Sequence, residues 1–314
     1  MKLLVQLIAA LALVCTALPA AAQDKVRLLL DWFVNPDHAP LIVAKHTGIF
    51  DRHELLVNLV APADPNDPPK LVAAGKGDLA ISYQPALTLH AAEGLPLARI
   101  ATLVATPLNA LVVLADGPVR GIADLKGRTI GFSVGGFEDA LLRAMLGTAG
   151  LALTDVKLVN VNFSLSPALL AGRVDGVIGA FRNFELNQLA LAGRQGRAFY
   201  PEEHGVPAYD ELIVVAARAR LGDPALARFV DALERGTLFV INHPEEAWRL
   251  FIKDRADLDD ELNRRAWRDT LPRFAHAPGA LDRTRYARFA AFLKAQGLLK
   301  VEPRLDDYAV ELAR

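Results

Sequence analysis

An eleven-residue segment occurs twice in this chain and limits the folds that the chain can adopt. Residues 71–81 align without a gap to residues 168–178. In each copy an apolar stretch ends at a glycine, and a basic residue and an aspartate then lead into a second apolar stretch. This is the pattern of a helix that ends at a left-handed glycine cap and is followed by a strand. A duplicated helix–strand unit predicts two similar halves.

The remaining sequence favours a two-lobed α/β protein. Short apolar runs alternate with helix-length amphipathic segments, which is typical of largely parallel sheets covered by helices. Helix-to-strand junctions in general favour glycine and aspartate, so the repeat alone is also compatible with a fold of one lobe. A predicted strand begins each half, at Leu28 and at 129–132, and this favours two lobes. Apolar runs at 111–114 and 212–216 are then the predicted crossovers, and the mainly helical segment after Asp223 is expected to pack on the first lobe. The predicted division is 1–22 signal peptide, 23–113 plus 213–314 lobe 1, and 114–212 lobe 2.

The first 22 residues have the pattern of a cleavable secretory signal peptide. Lys2 supplies a positive charge, residues 3–18 are almost unbroken apolar, and residues 20–22 offer the small side chains of a cleavage site. A membrane anchor is the alternative, but the run is short for a spanning helix of about 20 residues. Cleavage after Ala22 would remove Cys15, the single cysteine, and with it any disulfide, thiolate metal site or cysteine nucleophile. We expect a soluble periplasmic protein.

Charge and motifs exclude several classes of function. Lys and Arg number 35 and Asp and Glu 36, and they are interspersed without a basic run, which argues against a nucleic-acid partner. The sequence also lacks a nucleophile elbow, an HExxH zinc motif, a Cys/His metal cluster and a dinucleotide fingerprint. We therefore expect a protein without a cofactor, without a metal and without catalytic activity.

The loop after the first predicted strand is the most distinctive candidate for ligand binding. Ligands of open α/β sheets bind beyond the carboxyl ends of the strands, and this loop lies there and leads into a helix. Trp32 can stack on a flat ring, and the amide of Asn35 offers both a donor and an acceptor. Asp37 and His38 complete the set, although an aspartate ahead of a helix also fits an N-cap and a lone histidine also fits a structural hydrogen bond.

Two further groups of the first half follow predicted strands. Tyr83 and Gln84 come directly after the strand at 79–81, where an ordinary strand-to-helix turn is the alternative. Thr106 precedes the first predicted crossover, at the expected wall of a cleft between the lobes.

The second half supplies its own candidates at equivalent places. Paired glycines let a backbone approach a ligand closely, and a glutamate near aromatic side chains can accept hydrogen bonds from a ligand amino group. A simple turn and a solvated helix-start carboxylate are the respective alternatives. The candidates are Ser133, Gly135, Gly136, Phe137, Glu138, Phe181, Glu185 and, before the return crossover, Tyr209.

At these residues the chain resembles the ABC-importer binding proteins that carry thiamine pyrimidine precursors. The resemblance covers nearly the whole mature length, and its segments are specific together although each is modest alone. It implies a type II periplasmic binding protein fold, with two α/β lobes joined by two crossovers around a ligand cleft, and a ligand such as formylaminopyrimidine or hydroxymethylpyrimidine. The partners expected are an ABC permease and its ATPase, served by a monomeric carrier. The segments are 31–38, 65–71, 80–85, 135–139, 162–167 and 181–187.

The same fold includes enzymes that make the thiamine pyrimidine from pyridoxal phosphate and one of their own histidines. In the resemblance to that branch, the cofactor-binding lysine falls at Ser82, the sacrificial histidine at Ala86 and the cysteine-rich iron motif near 209–211. All three are absent, and a serine cannot form the Schiff base. Two alternatives to a pyrimidine carrier remain: a carrier of another solute, such as a sulfonate, nitrate or riboflavin, and an enzyme similar to the pyrimidine synthases.

Overall fold

The computed structural model describes residues 23–313, so the predicted signal peptide lies outside the described residues. Two five-stranded sheets with surrounding helices form the described chain. The strands are β1 Asp24–Leu29, β2 Leu55–Val60, β3 Leu79–Ser82, β4 Leu97–Val104, β5 Asn109–Leu114, β6 Thr129–Phe132, β7 Lys157–Asn160, β8 Gly176–Phe181, β9 Gly196–Phe199 and β10 Leu212–Ala217. The α-helices are α1 Ala39–His46, α2 Ile49–Arg52, α3 Pro68–Ala73, α4 Gln84–Ala92, α5 Phe137–Gly147, α6 Leu165–Leu170, α7 Glu185–Leu191, α8 Pro224–Asn242, α9 Pro244–Phe251, α10 Glu261–Thr270 and α11 Arg283–Ala295.

The two sheets have the same topology. The first has the order β2-β1-β3-β10-β4 and the second the order β7-β6-β8-β5-β9. In each sheet the first three strands are parallel, and the fourth runs antiparallel to both of its neighbours. That fourth strand is the one that follows a crossing between the sheets, β5 on the way out and β10 on the return. The predicted two-part α/β architecture is confirmed.

The first crossing lies earlier in the chain than the apolar run suggested. β5 pairs with β8 and β9, so residues 109–113 form hydrogen bonds in the second sheet, whereas the predicted division assigns them to lobe 1. A strand buried in a sheet is a continuous apolar run, and a sequence pattern cannot distinguish it from an apolar crossover. The lobe boundaries remain a prediction, and the strand pairing favours a first crossing at 105–108.

The sequence repeat corresponds to a repeated local structure. α3 and α6 end at Gly75 and Gly172, whose φ angles of +72° and +65° are the left-handed values that favour glycine. The aspartate of each copy then fixes the neighbouring strand: Asp78 Oδ2 accepts the backbone N–H of Arg27 at 2.7 Å. Asp175 accepts the first N–H of β6 at 2.8 Å in the same way. The repeat therefore aligns β3 with β1 and β8 with β6.

The C-terminal segment is held on the first sheet by a buried cation. The guanidinium of Arg99, which is fully buried on β4, donates to the carbonyl oxygens of Pro278 at 2.9 Å, Gly279 at 3.1 Å and Val310 at 3.3 Å. Such hydrogen bonds from a charged donor are stronger than neutral ones. The expected packing of the C-terminal segment on the first half is confirmed. Within residues 23–313, no helix combines the length and apolar character needed to cross a membrane.

Candidate functional site

A cavity of about 400 Å³ lies where the carboxyl ends of strands from both sheets meet. Its walls come from the loops after β1, β3, β6 and β8, which is where open α/β sheets bind ligands. Polar side chains converge in it with aromatic and aliphatic ones, as expected for a small-molecule site. The lining residues are Asp31, Trp32, Asn35, Asp37, Tyr83, Val134, Glu138, Leu165, Gly179, Phe181, Phe184 and Glu185.

The charged groups of this cavity all have the same sign. Four carboxyl groups line it, and none of its described lining residues is a lysine, arginine or histidine. Across residues 23–313, no group of three or more His, Cys, Asp or Glu side chains has an arrangement that could hold a metal ion. The cavity is therefore suited to a ligand that donates hydrogen bonds and is unfavourable for an anion.

The first carboxyl group, Asp31, is fixed by neighbours on both sides. Its Oδ1 lies 2.9 Å from Nε2 of His38, and its Oδ2 accepts the hydroxyl of Tyr83 at 3.0 Å. Because Nδ1 of His38 accepts the backbone N–H of Asn35 at 3.3 Å, Nε2 carries the proton that is donated to Asp31. Asp31 thereby orients the ring of Tyr83 in the cavity wall.

Asp37 connects the two halves of the molecule. Its Oδ1 accepts a hydrogen bond of 2.6 Å from Nδ2 of Asn183 in the loop after β8, and it lies 2.8 Å from Oγ1 of Thr270 in α10. Burial raises the pKa of Asp37 to about 6, although the contact with Thr270 opposes that change. The side chain of Asn35 accepts the N–H of Asp37 at 2.8 Å and fixes the start of this turn.

The two glutamates of the second half are buried, and burial raises the pKa of each. Burial raises the pKa of Glu185 to about 8, although its Oε2 accepts the N–H of Phe181 at 2.7 Å. Burial also raises the pKa of Glu138 well above its ordinary value, against the opposing hydrogen bond of 2.8 Å from the N–H of Ser133. A protonated carboxyl group both donates and accepts, which a carboxylate cannot do.

A glycine in β8 makes room for Glu138. Gly179 has a φ of +94°, and a Cβ atom at this position would lie 2.5 Å from the carboxyl carbon of Glu138. Any side chain would therefore displace the carboxyl group and strain the backbone.

Aromatic rings form the apolar walls. Trp32 meets Phe163 edge to face, with ring centroids 4.6 Å apart, and Phe163 belongs to the second half. Tyr83 stacks on Phe137 at 4.8 Å with an interplanar angle of 27°. These contacts hold Trp32 and Tyr83 in place across the junction of the halves. Phe181 also lies in the wall of the cavity.

Seven of the predicted site residues lie together in the lining of this cavity, and the ligand-binding role of the whole set remains a prediction. They are Trp32, Asn35, Asp37, Tyr83, Glu138, Phe181 and Glu185. The predicted residues that lie outside the lining are His38, Gln84, Thr106, Ser133, Gly135, Gly136, Phe137 and Tyr209.

Several residues outside the lining support the cavity from behind. His38 holds Asp31, Phe137 supports the ring of Tyr83, and the N–H of Ser133 holds Glu138. Gly136 adopts a φ of +90° directly before α5. The first three of these residues therefore contact lining residues directly.

The others have partners elsewhere. Tyr209 is fully buried and packs edge to face on Phe289, because the hinge-side segment is covered by α11. Gln84 accepts the N–H of Asp210 at 2.8 Å. Thr106 lies 3.3 Å from the guanidinium of Arg273, and the N–H of Gly135 donates to Asn66 at 3.0 Å. These residues were predicted from their positions near strand ends. Such a position does not determine which residues each side chain contacts.

Sequence reasoning missed lining residues that have no polar signal of their own. Val134, Leu165 and Phe184 are apolar, and their sequence context does not distinguish a cavity wall from a core. Two further missed residues carried usable signals. Asp31 is a polar residue just after the first strand, and Gly179 is a glycine inside a strand, which indicates close approach of another group.

The two sheets of matching topology define a two-lobed α/β architecture, and a solved structure confirms the fold. The alkanesulfonate-binding protein SsuA from Xanthomonas axonopodis pv. citri, bound to MOPS, superposes with a TM-score of 0.74 at 18% identity, over 92% of this chain and 99% of that one. The predicted type II periplasmic binding protein fold is thus confirmed.

The chain belongs to the family described as NMT1/THI5 like, whose model matches residues 35–247. A Haemophilus influenzae protein, provisionally named a thiamine biosynthesis protein, is 52% identical over 296 residues, which is 94% of each chain. The formylaminopyrimidine-binding protein of Halalkalibacterium halodurans is 34% identical over 250 residues, 79% of this chain and 74% of the relative. A Legionella pneumophila protein named 4-amino-5-hydroxymethyl-2-methylpyrimidine phosphate synthase is 26% identical over 280 residues, 88% of each chain. The resemblance noted in the sequence is confirmed.

Proposed function

We propose that this protein is the periplasmic solute-binding component of an ABC importer and that it binds a thiamine pyrimidine precursor, formylaminopyrimidine or hydroxymethylpyrimidine. The observation that carries the proposal is the cavity between the halves, which combines aromatic walls with four carboxyl groups and has no basic side chain among its described lining residues. The name of the relative at 34% identity, a formylaminopyrimidine-binding protein, supports the same ligand class.

The edge of an aminopyrimidine matches a protonated carboxyl group. An amino donor lies beside a ring nitrogen acceptor, and a neutral carboxyl group offers a donor beside an acceptor. Oε2 of Glu185 accepts the N–H of Phe181 and has a second lone pair for the amino group of the ligand. Its Oε1–H then donates to the ring nitrogen. The raised pKa of Glu185, about 8, keeps this proton in place at neutral pH.

The two faces of the ring would contact aromatic side chains. Trp32, Phe181 and Phe184 line the cavity, and one face of Tyr83 is already covered by Phe137. Each base–aromatic stack contributes about 1–3 kcal/mol in nucleic-acid complexes. A micromolar dissociation constant requires about 8 kcal/mol, so two stacks and a few buried hydrogen bonds suffice.

Charge disfavours the anionic alternatives. A sulfonate or nitrate would find no cationic partner among the described lining residues, and burying an unpaired anion is costly. The similarity to SsuA therefore concerns the fold. Riboflavin is neutral, so the charge argument does not apply to it. Its three-ring system with a ribityl chain is much larger than one pyrimidine.

Ligand binding without catalysis is consistent with the residues that this chain has at the catalytic positions of the synthases. In the resemblance to the synthases, the cofactor-binding lysine falls at Ser82 and the sacrificial histidine at Ala86. Neither side chain can perform the corresponding step. Closure of the halves around the pyrimidine would exclude water and form the surface that an ABC permease recognises. The ATPase of that permease would drive import, and the carrier would act as a monomer.

The proposal is tested by calorimetry on the mature protein after its ligand has been removed by unfolding and refolding. Formylaminopyrimidine and hydroxymethylpyrimidine should bind at a ratio of one to one with micromolar or tighter affinity, and an alkanesulfonate should not bind. Glu185→Ala should weaken pyrimidine binding by roughly tenfold or more, because a buried hydrogen-bond partner is lost. Glu203→Ala, a change at an exposed glutamate of the same half, is the control. Unchanged affinity in Glu185→Ala would remove Glu185 from the site.

A further inference from the structure

A second cavity, of about 370 Å³, shares a wall with the first. Tyr83 and Val134 line both cavities, so these two side chains separate them. The second cavity is also formed by both halves, since Val134 and Gly135 come from the loop after β6 and the other lining residues come from the first half. The remaining lining residues are Pro65, Asn66, Pro69, Lys70, Ile81, Ser82, Ala86 and His90.

The two cavities carry opposite chemistry. The first is lined by four carboxyl groups, whereas none of the described residues that line the second is acidic. Asp64 lies outside that lining, where its Oδ1 accepts from Nδ2 of Asn66 at 2.8 Å. The second instead has Lys70, His90 and Ser82, each of which can donate a hydrogen bond. Ala86 and His90 are four residues apart in α4, so they lie on the same face of that helix. The donors therefore belong to one concave surface.

Two of these donor atoms are buried and unused within the described chain. Neither Oγ of Ser82 nor Nδ1 of His90 has a hydrogen-bond partner there. Ser82 is only 1% exposed, and an unpaired buried polar atom costs free energy unless a water or a ligand satisfies it. Burial lowers the pKa of His90, which favours the neutral ring. In a neutral imidazole Nδ1 can carry the proton and donate it. Lys70 supplies the positive charge.

We infer that the second cavity binds a small oxyanion, a phosphate or a phosphate ester, through Lys70, Ser82 and His90. Phosphate oxygens accept several hydrogen bonds at once and pair well with a lysine ammonium group. An oxyanion with this chemistry can come from two sources. The oxyanion is either free phosphate or the phosphate group of a ligand whose ring lies in the first cavity, beyond Tyr83.

Inorganic phosphate is the first probe, titrated into the full mature chain by calorimetry at fixed ionic strength. Saturable binding is expected, and Lys70→Met and Ser82→Ala should each weaken it by about tenfold. Lys76→Met, at an exposed lysine that does not line the cavity, should leave it unchanged. Because the hydroxyl of Ser82 has no partner in the described chain, Ser82→Ala should keep the melting temperature of the wild type. Absent or non-saturable binding, or equal losses in Lys70→Met and Lys76→Met, would overturn the inference.

The second probe separates the two sources. Hydroxymethylpyrimidine and its phosphate ester are titrated into the wild type and into Lys70→Met. If the phosphate belongs to the ligand, the ester binds more tightly than the alcohol, and that advantage disappears in Lys70→Met. If the occupant is free phosphate, phosphate and the alcohol bind together without competition. The inference is contradicted if the ester binds no better than the alcohol and the protein does not bind phosphate. That result would not affect the proposal that the protein carries a pyrimidine.

Discussion

Replacing Glu185 by glutamine should change how the stability of the ligand-free protein depends on pH. Burial raises the pKa of Glu185 from 4.5 to about 8 in the folded protein. A group with a raised folded pKa stabilises the fold fully below its unfolded value, and this contribution is lost as the pH rises through the folded value. Between pH 4.5 and pH 8 the unfolded chain releases a proton that the folded chain retains, so the wild type loses stability over this window.

The size of the effect follows from the two pKa values. Each pH unit between them corresponds to about 1.4 kcal/mol, which gives at most about 5 kcal/mol in total. Water that reaches the ionised group reduces this value, so we expect a loss of about 2–5 kcal/mol. The amide introduced by Glu185→Gln is not titratable and can still accept the N–H of Phe181.

Urea unfolding at pH 5 and pH 9, followed by tryptophan fluorescence, measures the difference. Glu185→Gln should gain about 2–4 kcal/mol over the wild type at pH 9 relative to their difference at pH 5, because part of the loss has already occurred at pH 5. Glu203→Gln, at an exposed glutamate, should follow the wild type. The pKa of Asp37 is also raised, but Asp37 is present in both proteins and largely cancels. Parallel pH profiles for wild type and Glu185→Gln would show that Glu185 is ionised in the folded protein and would refute the neutral-carboxyl account.

Three further substitutions test the geometry. Gly179→Ala should lower the free energy of unfolding in urea by at least about 2 kcal/mol. The new Cβ would lie 2.5 Å from the carboxyl carbon of Glu138, and the φ of residue 179 is +94°. A loss below about 0.5 kcal/mol would contradict the close approach. Trp32→Ala should weaken pyrimidine binding by roughly tenfold to a hundredfold in calorimetry through loss of a stack, and an unchanged affinity would exclude Trp32 from the site. Arg99→Met should lower the free energy of unfolding by about 3 kcal/mol or more in chemical denaturation, because the carbonyl oxygens of Pro278 and Val310 lose their buried donor. An unchanged free energy of unfolding would mean that other contacts hold the C-terminal segment.

The sequence predicted the architecture because the repeated unit has a strong local basis. A left-handed glycine and an aspartate that caps the neighbouring strand are needed wherever this helix–strand unit forms, and they appear as Gly75 with Asp78 and Gly172 with Asp175. The position of the first crossover remains a prediction, because a buried strand and an apolar connection have the same composition. Only hydrogen-bond pairing with β8 and β9 assigns 109–113 to the second sheet.

The site was predictable where a residue follows a strand that ends at the cleft. Trp32 and Glu185 both satisfy that rule, and both line the cavity. Tyr209 was expected there from its place before the return crossover, but α11 covers its ring, which is a contact between segments far apart in the chain. The raised pKa of Glu185 also depends on burial by several elements at once, so no local pattern announces it.

Mass spectrometry of the small molecules released when the protein is purified from its native host and denatured tests the central claim most directly. The account predicts an aminopyrimidine in a ratio approaching one per protein in the wild type and its loss in Glu185→Ala. Release of a sulfonate or a flavin instead, at the same occupancy in both proteins, would contradict the account.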